Sequence, residues 1–295
     1  MPDNDYAGFL EAAGHRVISL DGIDWYAYRG FMMPAYLPHV MPTIRAASAR
    51  RMLKQAKLPF ARWTEGFSDE LESQWWYVIR EGPYALEQCS ANTRSKIRRG
   101  LKRLECRRVS AEEIRQQGYR VCERAISRYT GTAPLIDHAA FIRRVDAAER
   151  YPESVEYFGV FNGKYMVGYS ENHIQSGAVF WENIWYDPLY LRDYSSYAMT
   201  HCMLEYYLEE RAMKYVSDGC RSIYHKTNVQ YFFIDNFHFA YRFSRLEIMY
   251  SPLFHWMVSC AYPFRYVVGS LHDSGVPFFG KVNAILTQES LRRLG

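Results

Sequence analysis

The apolar, β-branched and aromatic positions over 15–20 and again over 23–28 predict a pair of strands. Asp21-Gly22 between them supplies a turn, and Pro34, Pro38 and Pro42 close the segment. A helix is predicted over the basic stretch 43–57, ending before Pro59, and a strand over 74–80 (QWWYVIR), stopped by Gly82-Pro83. Behind a cap at Asn92 or Thr93, Ile97, Leu101 and Leu104 fall at i, i+4 and i+7, the spacing of one helix face. Arg94, Arg98 and Lys102 share the neighbouring stripe, so this helix has one apolar and one basic side.

The pattern then becomes regular. A short strand at 106–109 leads to Ser110-Ala-Glu-Glu, a capping sequence that opens a helix to about 129. A second helix covers 138–150, before Pro152. Strands follow at 155–161, 164–173 and 178–187, the first two joined by the hairpin dipeptide Asn162-Gly163. Asp193 is placed to cap a long helix to about 213, and a strand at 214–218, a helix at 228–235 and a strand at 237–250 complete the order. Such an order predicts an α/β chain: a mixed sheet with helices on both faces, splayed between the strand ending at Asp187 and the one beginning at Lys214.

Composition agrees with a folded chain: of 295 residues 48% are hydrophobic and 23% charged, which excludes a disordered or collagen-like protein. Aromatic residues are abundant, with 25 Tyr, 17 Phe and 7 Trp, as wide sheets or a ring-lined groove require. The net charge of +4 hides an uneven distribution. Residues 94–108 hold eight bases against one acid, and 43–57 hold five bases and none, so the remaining chain is net acidic. Bases concentrated in this way suit a polyanion, with Arg94, Lys96, Arg98, Arg99, Lys102 and Arg103 as the contacts. The six cysteines form no CxxC pair and no zinc-spaced cluster, so no metal site is expected. No secretory leader is legible, and residues 252–271, though apolar, are broken by His255, Pro263, Arg265 and Gly269. A cytoplasmic chain without a transmembrane segment is expected, with 252–271 closing the core or touching a membrane interface.

Three segments carry a family likeness. Thr93-Arg-Ser-Lys-Ile-Arg-Arg-Gly-Leu-Lys-Arg resembles the basic helix leading into the second domain of Fem-type peptidoglycan aminoacyltransferases and their relatives among the GCN5-related N-acetyltransferases (GNAT). Phe158-Gly-Val-Phe-Asn-Gly-Lys-Tyr-Met-Val-Gly-Tyr is similar to a GNAT hairpin, and Ile184-Trp-Tyr-Asp-Pro followed by Tyr194-Ser-Ser-Tyr resembles the strand-to-helix junction of arginyl-type tRNA-protein transferases. The likeness covers 93–250 well and 15–92 loosely. It implies a GNAT-like acyltransferase domain at 93–250, a trimmed, degenerate GNAT-like domain at 1–92, and an extension at 251–295 packing on the core. GNAT enzymes cradle the CoA pyrophosphate in a [QR]xxGx[GA] loop; here Arg192 fits the first position, while Ser195 and Tyr197 stand where the glycines would be, with Ser196 between them.

The resemblance implies amide formation: an acyl or aminoacyl donor is attacked by a small-molecule or peptide amine that must lose a proton. Glu182 is the first candidate for the base, on a strand face shared with Ile184 and Tyr186. His225 with Asp218 is a possible acid–base pair, Tyr231 a possible phenol replacing the GNAT tyrosine, and Lys226 and Asn228 possible donor contacts. Walker, GxGxxG, GxSxG and HExxH motifs are absent, so kinase, dehydrogenase and hydrolase readings lack support. Aminoacyl-tRNA is slightly favoured as the donor, with Tyr194, Tyr197 or Tyr231 stacking on its terminal base, over a CoA thioester; in either case the donor is a substrate and no cofactor is bound. A non-catalytic GNAT-like module binding RNA through 43–57 and 94–108 is the reading from another class.

Overall fold

A computed structural model describes residues 5–127, 137–223, 229–273 and 277–294. The chain runs α1 (Asp5–Ala12), β1 (Val17–Leu20), β2 (Ile23–Tyr28), β3 (Phe31–Pro34), α2 (Ala46–Ala56), β4 (Phe60–Ser68) and β5 (Trp75–Glu81). It continues through α3 (Ala91–Arg103), β6 (Glu105–Val109), α4 (Ala111–Ile126), α5 (His138–Arg150), β7 (Val155–Asn162), β8 (Tyr165–Gln175) and β9 (Ala178–Tyr186). Then come α6 (Ser195–Leu204), β10 (Tyr215–Cys220), α7 (Val229–Phe237), β11 (Ala240–Tyr250), α8 (Pro252–Ala261), α9 (Arg265–Asp273) and α10 (Pro277–Leu294).

Among the described residues eleven strands join one sheet in the order β1-β2-β3-β4-β11-β5-β10-β9-β8-β7-β6. Pairing is antiparallel except between β3 and β4 and between β9 and β10. Segments 1–92 and 93–250 are knit together in this sheet, because β11 lies between β4 and β5. Helices cover both faces. Tyr157 and Phe158 are neighbours on β7, yet Tyr157 packs in the core under α1, α4 and α5 while Phe158 packs under α3 and α6. That division follows from the alternation of successive side chains on a strand.

Two helix starts differ from the sequence expectation. The cap of α3 is Ser90, whose hydroxyl accepts from the Thr93 N–H at 3.1 Å, instead of Asn92 or Thr93. Asp193 does not cap α6. A 3₁₀ turn over Pro188–Asp193, itself capped by Asp187, comes first, and Tyr194 enters α6 in the left-handed conformation at φ 61°. The helix then runs on as a π-helical segment over Glu205–Glu210.

Candidate active site

Strands β9 and β10 pair in parallel only where Ala178 meets Tyr215, Val179 meets Val216 and Phe180 meets Ser217. Beyond these residues β9 continues to Tyr186 alongside β8, whereas β10 stays with β5 through an irregularity between Ser217 and Cys220. Gly219 takes φ +90° there, which an L side chain adopts only with strain. The strands part, and a crevice of about 620 Å³ opens between them. Its walls are Trp181, Ile184 and Tyr186 of β9, Asp218 of β10, Ser196 at the start of α6, and Val229, Phe232 and Phe233 of α7. Glu182 and Trp185 of β9 and Ala125 of α4 line it as well. Since α4 and α7 pack on opposite faces, the crevice crosses the sheet.

Asp218 has neither ion pair nor hydrogen bond to its carboxylate among the described residues. Removal from water without a compensating cation pushes its carboxyl up to about 8. Tyr186 lies close enough that the Asp218 charge adds to the effect of burial, and its phenol is held well above the usual range. Asp218 is thus poised to exchange a proton near neutral pH, as a general base or acid must.

Glu182 reaches the crevice from the other face. A β-bulge between Glu171 and Asn172 of β8 sets Trp181 opposite Asn172 and Asn183 opposite Glu171, which leaves Glu182 as the extra residue. Trp181, Ile184 and Tyr186 therefore pack toward α6 and α7, while Glu182 turns toward α1 and α5. The sequence expectation that Glu182 shares a face with Ile184 and Tyr186 fails at this bulge. The Tyr6 hydroxyl donates to Glu182 Oε2 at 2.8 Å, and Arg144 Nη2 lies 3.7 Å from Oε1. Arg144 is chiefly bound to buried Glu171, with Nε at 2.8 and 3.0 Å from its two oxygens.

The α6 entrance is built by its crossing with α3. Gly100 makes the crossing possible, because a Cβ there would lie 2.9 Å from the Tyr194 carbonyl and 3.1 Å from the Ala198 Cβ. The bases of α3 grip the same turn. Lys96 Nζ donates to the Tyr197 hydroxyl at 3.1 Å, Arg99 reaches the Tyr194 hydroxyl at 3.5 Å, and Arg103 pairs with Asp193 at 2.5 Å. Arg94 donates to the Cys89 and Glu87 carbonyls at 2.5 and 3.3 Å. Arg98 and Lys102 stand exposed and make no hydrogen bond or ion pair among the described residues. Within the turn Arg192 is exposed, Ser195 is fully buried with its hydroxyl unpartnered among the described residues, and Ser196 faces the crevice. Tyr197 packs edge-on to Phe232 of α7, with ring centroids 4.9 Å apart.

Of the remaining sequence candidates, Tyr231 is 57% exposed on α7 and does not line the crevice, whose aromatic walls are Trp181, Trp185, Tyr186, Phe232 and Phe233. His225, Lys226 and Asn228 lie outside the described residues. The basic stretches lie apart: α2 packs on β1, β4 and β11, and α3 on α6 and β6. Among the described residues no cluster of His, Cys, Asp and Glu is arranged to hold a metal.

No protein-family model matches the chain, and no curated protein matches it by sequence. Solved structures do match. FemX aligns over 80% of this chain and 88% of its own, with a TM-score of 0.53 at 10% identity. L-PGS from Bacillus licheniformis aligns over 99% of this chain and 98% of its own, with a TM-score of 0.52 at 11% identity. The architecture is a Fem-like α/β fold, as the sequence resemblance implied.

Proposed function

We propose that this chain, which has the GNAT/Fem-like acyltransferase fold, transfers an acyl or aminoacyl group from an activated donor to an amine, forming an amide. One observation carries the reading: the crevice in the β9–β10 splay crosses the sheet and holds Asp218, a carboxyl without a partner among the described residues and pushed up to about 8. A passage open to both faces admits donor and acceptor from opposite sides. Ionised Asp218 takes a proton from the acceptor ammonium, and the free amine attacks the donor carbonyl. As the bond to the leaving oxygen or sulfur breaks, the proton held by Asp218 passes to that leaving group, and the second proton of the attacking nitrogen is released to solvent. Glu182, held by Tyr6 and near Arg144, places a carboxylate where it attracts the acceptor cation.

Aminoacyl-tRNA is the favoured donor. The side chains of Ser195 and Tyr197 occupy positions where close approach of a CoA pyrophosphate needs glycine, and the aromatic crevice wall suits the flat face of a terminal adenine. Arg98 and Lys102, exposed and without a partner among the described residues, are available for distant phosphates. A CoA thioester is the second reading, favoured by Arg192 in the turn that precedes the α6 N-terminus. On either reading the donor is consumed and no resident cofactor is required.

Calorimetry with acetyl-CoA and with charged tRNA, followed by single-turnover transfer to a panel of amines, tests the proposal. Binding of charged tRNA and Asp218-dependent amide formation are expected. Tight CoA binding without tRNA binding overturns the donor assignment. RNA binding with no transfer to any amine, and no effect of Asp218→Asn, favours a non-catalytic module.

A further inference from the structure

The outer surface of α8 and α9 has no role in the crevice. Leu253, Trp256, Met257 and Cys260 fall at i, i+3, i+4 and i+7 on α8, one helical face, and all four are exposed. Phe264 and Val267 extend the stripe beyond the short turn at Pro263. Exposure is large: 73% for Leu253, 65% for Trp256, 63% for Phe264 and 58% for Val267. The opposite side of α8 is anchored, with Val258 buried and Phe254 stacked on Phe60 at 5.8 Å between centroids. The helix is therefore fixed to the sheet with its apolar stripe turned outward.

We infer that this stripe docks in the plane of an anionic lipid surface. Its chemistry is that of a membrane interface, where Trp and Tyr place an apolar ring inward and a polar tip toward water. Tyr266 is 75% exposed, and Arg265 lies across the Tyr262 and Tyr266 rings at 4.6 and 4.3 Å, positioned to reach headgroups. Charge selects the partner. No carboxylate occurs from 248 to 272. The Ser251 N–H, at the start of α8, donates to the Pro59 carbonyl at 2.8 Å, which brings the end of basic α2 to the same edge. Arg50, Lys54 and Lys57 are exposed there, whereas Arg51 is neutralised by Asp21. A partner helix is disfavoured, because the stripe lacks the flanking charges that set register in a helix pair. Among the described residues no helix is long and apolar enough to cross a membrane, so the contact lies along the surface. The inference is independent of the reaction proposed for the crevice.

Sedimentation of the full chain with phosphatidylcholine vesicles, with and without phosphatidylserine, tests it. Binding is expected with the anionic vesicles and weakly or not at all with the neutral ones. Changing Leu253, Trp256 and Val267 together to Ser should lower binding about tenfold or more. Because these side chains face solvent, the melting temperature should hold. Should the triple variant melt early, Lys54→Glu on α2 with Lys57→Glu at its C-cap, both exposed, decides, and it should weaken anionic binding several-fold. A wild-type chain that stays in the supernatant with both vesicles overturns the inference, as do variants that bind like wild type. Vesicle-free dimerisation abolished by the triple change, without vesicle binding, assigns the stripe to a second copy of this chain.

Discussion

Asp218 and Glu182 face one crevice from opposite sides of the sheet, and their surroundings separate their roles. Glu182 is tied to Tyr6 and Arg144, whereas Asp218 has no counter-charge among the described residues and its carboxyl is pushed up to about 8. Only the ionised form of Asp218 accepts a proton, so transfer should speed up as pH rises through about 8. Asp218→Asn should slow single-turnover transfer by about 10²-fold or more and flatten that profile. Glu182→Gln should raise the acceptor KM and keep the profile; a flattened profile in this variant instead would move the base to Glu182. Folding supplies a second readout for Asp218. An aspartate titrates near 4 in the unfolded chain, so between about 4 and 8 the folded state holds the extra proton and stability falls as pH rises. Asp218→Asn has no such proton. Thermal melts should therefore show the variant gaining on wild type between pH 5 and 8, and a gap that stays constant with pH contradicts a raised Asp218. The sequence allows Asp218 as a candidate, but its protonation state was illegible, because it comes from walls contributed by α6, α7 and β9.

At the scale of elements, the α3–α6 crossing positions the turn that opens the site. Gly100→Val would press a branched side chain against the Tyr194 carbonyl and Ala198, and α3 would have to lift. Overpacking of this kind costs about 1–3 kcal/mol, which urea unfolding would register, and donor affinity should fall with it. A variant as stable as wild type would mean that α3 does not set the turn. Periodicity made most spans legible: β1, β2, β5, α2, α5 and the β7–β8 hairpin lie within a few residues of where their patterns place them. Elements α1, β3 and β4 were not read from the sequence at all, and elsewhere what escaped was local geometry that keeps the pattern intact. The bulge at Glu182 inserts a residue without disturbing the run of strand-forming residues. The left-handed Tyr194 entry to α6 follows a 3₁₀ turn that reads like helix. The basic stripe of α3 was legible as charge. Its engagement with Tyr194, Tyr197 and Asp193 was not, because that depends on which helix crosses it.

At the scale of the molecule, one sheet joins the N-terminal strands to those of 93–250, with β11 inserted between β4 and β5. No local pattern encodes that insertion, since it pairs residues more than 150 positions apart. The same sheet divides the basic charge: α2 lies over β1, β4 and β11, and α3 lies by β6 at the far edge. A long donor seated in the crevice therefore meets α3, and within α3 most bases already hold protein groups. Arg98 and Lys102, one turn apart on the exposed side, are the pair left to reach phosphates. Replacing both by Ala should leave the fold and the acetyl-CoA affinity unchanged. For charged tRNA it should weaken binding and reduce the slope of log affinity against log salt by up to about two phosphate equivalents. Arg50→Ala with Lys54→Ala on α2 should leave that slope unchanged. Equal slopes for wild type and the α3 variant, measured by filter binding across a salt series, would remove tRNA from α3. A drop produced by the α2 variant alone would place the polynucleotide on the opposite end of the sheet.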